Sequence, residues 1–299
     1  MVGWVLLSQM VLAEPFLVEE YAFEAGHTLE VELQFGSITV EPWDEAGVRF
    51  ALEACSLAGK NHEALRQEYT VESSPLPDGL RLASRFPEQG SWWGMSRNRP
   101  QLHLKLSVPE ATHLTLKTSG GSVSVAQLRG DLRVRTSGGS IRLEQVDGTV
   151  DLHTSGGSIS LNETSGNALV KTSGGSIRLG RILGEVQART SGGSITVDEV
   201  FGPIQATTSG GSIRVTLSDQ PQNHCLLKTS GGSITVRMTQ PLGLQINAKT
   251  SGGRVHCDFP LDQATLLEKN EIQGLINGGG PLLSLKTSGG GIYIVDESH

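Results

Sequence analysis

The stretch KTSGGSIRLG, residues 171–180, decides the fold, because its core, TSGG, is written nine times along the chain. It starts at Thr118, Thr136, Thr154, Thr172, Thr190, Thr208, Thr229, Thr250 and Thr287, at intervals of 18 five times, then 21 twice, then 37. A fixed period of this size is the signature of a solenoid, in which each repeat is one rung stacked on the last. Five residues after each Thr stands Val or Ile, from Val123 and Ile141 to Ile292. Seven after stands an aliphatic residue, or Cys257 in the eighth copy, and four and two before lie further apolar residues, Cys225 among them. Apolar residues two apart are the mark of a half-buried strand. A fifth column, ten after Thr, holds Leu128, Val146, Ile182 and Val200. Each rung therefore reads as two short strands with about five inward side chains, and the fold class as all-β, a single-stranded parallel β-solenoid of 18-residue rungs.

TSGG falls between the two strands, at a corner. The glycine pair is expected to supply positive backbone φ angles, and the Thr and Ser hydroxyls to bond the turn backbone of their own or a neighbouring rung. A glycine twelve residues after Thr (Gly130, Gly148, Gly166, Gly184, Gly202) marks the opposite corner. The two 21-residue repeats carry SDQPQNH and TQPLG there and are expected to bulge. Cys225 and Cys257 occupy aliphatic columns and read as small buried hydrophobes.

Open solenoid ends must be covered. Residues 14–112 read as a strand-rich N-terminal cap with runs at TLEVELQ, SITVEP, VRFALEA, GLRLASRF and QLHLKLSVP and a helical turn near NHEALRQ. Residues 113–257 are the TSGG solenoid, and 258–299 a C-terminal cap whose last rung closes the stack. The opening run MVGWVLLSQMVLA, residues 1–13, reads as a signal peptide cut before Glu14, which places the protein in the periplasm, on the cell surface or outside the cell. Read instead as a strand, it would leave the protein cytoplasmic. No later run is apolar for about 18 residues, so no transmembrane helix is expected.

FGSITVEPW, LKLSVPEATHLTLKTSGGSV and INGGGPLLSLKTSGGGIYI together resemble the bacterial "putative adhesin" family of β-strand-repeat proteins, whose function is unassigned. The resemblance runs from about residue 27 to residue 295. It implies a β-solenoid at or outside the cell envelope.

Composition and motifs exclude several functions. Of the 299 residues, 38 are glycine, with no three-residue period that would indicate collagen. The net charge of −7 is unevenly spread. Residues 14–117 carry nine basic against sixteen acidic residues, 118–257 thirteen against nine, and 258–299 two against six. A nucleic-acid binder would show a strongly basic footprint instead. Three cysteines make no disulfide framework. The eight histidines form no H-E-x-x-H, and neither G-x-S-x-G nor a P-loop occurs. Ser and an aliphatic residue follow the glycine pair where a calcium-binding roll needs G-x-D. A hexapeptide acyltransferase would need an aliphatic residue at every sixth position, and Ile141, Asp147, His153 breaks that rule. No catalytic, cofactor-binding or metal-binding residues are expected, and the chain reads as a non-enzyme.

What remains is a column. Immediately before Thr stand Lys117, Arg135, His153, Lys171, Arg189, Thr207, Lys228, Lys249 and Lys286, all at outward positions. Arg142, Arg178 and Arg214 recur six after Thr, alternating with Ser or Thr. A cationic stripe at rung spacing suits a linear polyanion such as an acidic surface polysaccharide. The same stripe also serves solubility and guards exposed strands against aggregation. A second candidate is the loop of Trp92, Trp93, Arg97 and Arg99, whose rings could anchor a sugar or a protein partner. The expected function is an adhesin-like scaffold binding a glycan, polyanion or protein. The alternative is a purely structural or envelope-stress-associated protein with no ligand on the rod.

Overall fold

A computed structural model describes residues 14–56, 61–85 and 100–297. These residues form 27 strands and one short helix, His62–Glu68. The strands lie in two sheets, of 13 and 14 strands, that enclose one apolar core. Each TSGG repeat gives the strand before its corner to the 14-stranded sheet and the strand after it to the 13-stranded sheet. Successive rungs pair in parallel, column on column: Val134 lies opposite Leu152, and Leu143 opposite Leu161. This is the expected β-solenoid.

The columns read from the sequence are buried throughout, except that Cys257 is only half-buried. Cys225 is buried, and burial pushes its thiol pKa up. In the Thr154 rung the fifth column holds Thr164 instead of an aliphatic residue. It is also buried, because its hydroxyl donates to the Gly148 carbonyl at 2.7 Å.

At both ends the stacking order departs from chain order. Thr28–Leu33 and Ser37–Trp43 lack TSGG yet form a rung in full register with the Thr118 rung. Leu29 and Val31 face Leu114 and Leu116, and Ile38 and Val40 face Val123 and Val125. Gly79–Arg85 and Gln101–Pro109 then stack on the far side of that rung, although they follow it in sequence. Antiparallel strands finish this end: Val48–Ser56 beside Gln101–Pro109, Thr70–Leu76 beside Gly79–Arg85, and Pro15–Tyr21 beside Val48–Ser56. The helix, capped by the Asn61 side chain on the Ala64 amide at 2.8 Å, packs against Pro15–Tyr21 and buries Leu65.

At the other end the Thr287 rung does not close the stack. Its strands, Leu282–Thr287 and Ile292–Asp296, lie between the Thr229 and Thr250 rungs in both sheets. The Thr250 rung is outermost. Its strand Leu244–Thr250 is covered in turn by an antiparallel hairpin, Asp262–Leu267 and Glu271–Ile276.

Candidate functional site

The corners set where every outward side chain stands. Each TSGG threonine is buried, and its hydroxyl donates to a corner glycine carbonyl of the adjoining rung, the second of the pair wherever that rung has TSGG, as Thr154 does to Gly139 and Thr172 to Gly157 at 2.7 and 2.8 Å. The ladder follows space rather than sequence. Thr118 reaches Gly36, Thr287 reaches Gly232, and Thr250 reaches Gly290. On the same corner the amide of Ser158 donates to the Ser140 hydroxyl, and that of Ser176 to Ser158.

The reason for the glycine pair is not the expected one, since no TSGG glycine has a positive φ. The second glycine is required by close approach: a Cβ on it would sit 1.9–2.4 Å from a carbonyl oxygen of the adjoining rung. The first has more room, and how much varies along the stack: the nearest atom would be 3.5 Å away on Gly156 but 2.8 Å away on Gly252 and Gly289. Side-chain-free corners let rungs approach to strand spacing, about 4.8 Å.

That spacing governs the cationic column. Lys117, Arg135, His153, Lys171, Arg189, Thr207, Lys228, Lys286 and Lys249 are successive cross-strand neighbours on the outer face of the 14-stranded sheet, in that spatial order. A carboxylate bounds the column at each end, Glu32 beside Lys117 and Glu271 beside Lys249. The members are not equivalent. Arg135 is half-buried and bonded to Asp151, which Arg133 also approaches at 3.3 Å. Partial burial acts to raise the Asp151 pKa, but the bond from Arg135 and the two guanidinium charges outweigh it, and the net shift is downward. Lys249 bonds the Glu271 carboxylate, which raises the lysine pKa and lowers that of the glutamate. Among the described residues Lys171, Arg189, Lys228 and Lys286 have no carboxylate within salt-bridge distance. Beside them on the same face run Leu169, Gln187, Gln205, Leu226 and Ser284, with no acid among them. The part of the column without ion pairs is thus its second half, four cations over five rungs interrupted only by Thr207, with Lys286 at its edge near enough to Glu271 to help lower that carboxyl's pKa.

Arg142, Arg178 and Arg214 are exposed on the other sheet, each between Ser or Thr neighbours. Acids share that face: Arg181 lies 3.4 Å from Glu163 and 3.5 Å from Glu199, and stacks over Phe201 at 5.0 Å. Trp92, Trp93, Arg97 and Arg99 lie outside the described residues, in the segment joining Gly79–Arg85 to Gln101–Pro109.

A shallow hollow of about 640 Å³ borders the first half of the column, lined by Asp78, His113, Asp131 and Asp151 among others. The hydroxyl and then the amide of Thr149 bond Asp131, at 2.6 and 3.0 Å, and hold its carboxyl below the usual range. Among the described residues no three His, Cys, Asp or Glu side chains converge to hold a metal ion.

The chain matches the Toastrack DUF4097 family over residues 73–295, about three-quarters of its length. It belongs to that family. The Toastrack match includes every TSGG rung, and the resemblance read from the sequence is thereby met. Three solved structures match the chain at low similarity. A "putative cell adhesion protein" from Clostridium sporogenes is 12% identical with a TM-score of 0.27, over 95% of this chain and 100% of that one. A "putative adhesin" from Bacteroides fragilis is 10% identical with a TM-score of 0.38, over 94% and 96%. A "putative lipid binding protein" from Parabacteroides distasonis is 11% identical with a TM-score of 0.42, over 95% and 96%. They are too distant for any property to be carried to this chain. No curated protein matches it. Among the described residues no helix is long and apolar enough to cross a membrane.

Proposed function

We propose that the protein is a non-catalytic, adhesin-like scaffold of the cell envelope or exterior that binds a linear polyanion, an acidic polysaccharide first, along Lys171, Arg189, Lys228 and Lys286. The observation that carries this reading is the uncompensated half-column. In water, unit charges about 5 Å apart repel by about 0.8 kcal/mol before salt screening. Elsewhere along the column Arg135 and Lys249 are matched with Asp151 and Glu271, whereas these four cations are left together. A polyanion laid along the rod would relieve that repulsion at each rung it crosses. Leu169 and Leu226 offer flat apolar surface for sugar rings, and Gln205 offers an amide for hydroxyls, whereas the Gln187 amide is taken by Glu185 at 3.0 Å.

The test replaces Lys171, Arg189, Lys228 and Lys286 with Ser and measures retention on immobilised heparin. The control variant replaces Arg142, Arg178 and Arg214 with Ser on the opposite sheet. Wild type and control should be retained at low salt and released as salt rises, and the quadruple variant should not be retained. Equal retention of the quadruple variant, or retention insensitive to salt, would favour a rod with no ligand, its column serving only solubility.

A further inference from the structure

The out-of-order Thr287 rung carries an inference independent of the cationic column. The Thr229 and Thr250 rungs are consecutive in sequence, yet they stand two strand spacings apart, about 10 Å. The slot between them has a brace that does not involve the rung filling it. The Gln220 side chain bonds Gly243 in both directions, its Nε2 donating to the carbonyl at 3.0 Å and its Oε1 accepting from the amide at 2.9 Å. Gln240 Nε2 donates to the Ser218 carbonyl at 2.6 Å, and Asn277 Nδ2 to that of Leu242 at 3.0 Å. These contacts tie the longer corners of the two 21-residue repeats to each other and to the closing hairpin.

The occupant of the slot is the last described strand pair of the chain. It is joined to the preceding strands through residues 277–281, Asn-Gly-Gly-Gly-Pro, where Asn277, Gly278 and Gly279 have φ of 49°, 78° and 89°. Glycine at such angles costs little and can as readily leave them. The occupant matches both walls in register, Leu283 against Cys225 and Ile246, and Ile292 against Ile234 and Val255. Its Leu283, Leu285, Ile292 and Ile294 are fully buried, so outside a slot it would expose them to water. Repetitive strands with a flexible hinge are the setting in which identical elements exchange between chains.

We propose that the Thr287 rung is a donor element that fills the same slot of a second copy of this chain, giving a reciprocally exchanged dimer. A second copy is the fitting partner because its slot repeats every contact on both walls: the hydroxyl bonds from Thr287 to Gly232 and from Thr250 to Gly290, and the Gly291 amide on Ser233. Only residues 278–281 need a new path, so the Asn277 bond to Leu242 is kept. Exchange leaves no apolar side chain uncovered in either copy.

Leu226 and Ser284 are outward cross-strand neighbours on wall and donor, so they report which copy fills the slot. In a background with Cys55, Cys225 and Cys257 replaced by Ala, chains carrying only Leu226→Cys are mixed with chains carrying only Ser284→Cys. The mixture is held at the foot of thermal unfolding, cooled and oxidised. The expected result is a disulfide-linked heterodimer whose fraction rises with protein concentration, several-fold above a control in which Thr115→Cys replaces Leu226→Cys at the far end of the sheet. Isotope-heavy and isotope-light wild-type chains treated the same way should give a mixed-mass dimer by native mass spectrometry, without any substitution. Cross-linking no higher than the control, together with an absence of mixed-mass dimer, overturns the proposal.

Discussion

At the residue scale, the two glycines of the Thr154 corner do different work, although the sequence writes them as a pair. Gly157 would place a Cβ 2.2 Å from the Gly139 carbonyl, a backbone atom that cannot move without shifting a rung. A Cβ on Gly156 would meet its nearest atom at 3.5 Å, an ordinary contact. Gly157→Ala should therefore lower stability by about 3 kcal/mol, at the upper end of overpacking costs. Gly156→Ala should change it by less than about 0.5 kcal/mol, as surface substitutions do. Urea unfolding of the two variants checks this, and equal losses would mean that backbone conformation rather than rung spacing demands the glycines. From the sequence, positive φ and close approach predict the same letter, so the choice between them was not legible.

Among the elements, the corner opposite TSGG holds its rungs with side chains as well as backbone. His113 Nδ1 accepts from the Asp131 amide at 3.1 Å, and Asp131 accepts from both the amide and the hydroxyl of Thr149. Because these bonds favour the ionised carboxylate, the folded pKa of Asp131 lies below its unfolded value. The stabilisation is then complete above the ordinary carboxylate pKa and is lost as pH falls through the lowered folded value. Asp131→Asn should be less stable than wild type at about pH 6, and the difference should shrink as pH drops toward about 2. Thermal midpoints across that range provide the measurement, and a gap that stays constant would show that Asp131 does not titrate with folding. The strand pattern of this region was legible, since residues two apart alternate inward and outward. The bonds between rungs were not, because they join residues 18 apart whose pairing depends on the stack.

Over the whole molecule, stability in a solenoid is a sum of rung and nearest-neighbour terms, so protection should follow position in the stack. The rung of Thr28–Leu33 and Ser37–Trp43 is bonded on both sides, whereas Gly79–Arg85 lies between it and the exposed strand Thr70–Leu76. Native-state hydrogen exchange should show Leu29, Val31 and Val40 exchanging more slowly than Leu80 and Leu82, although the former are nearer the N-terminus. The reverse order would mean that the chain stacks in sequence order. The repeat by itself determined the fold class, the buried columns, the outward cationic column and the two corners, because each follows from local alternation and a fixed period. Only the tertiary structure decided which rung lies beside which at the ends, which cations are matched by carboxylates, and that residues 28–43 belong to the stack without a TSGG. Near-identical rungs present the same hydrogen bonds and apolar columns to any neighbour, so local sequence cannot rank one stacking order over another. The connections, the Gln220 brace and the end-covering strands do that.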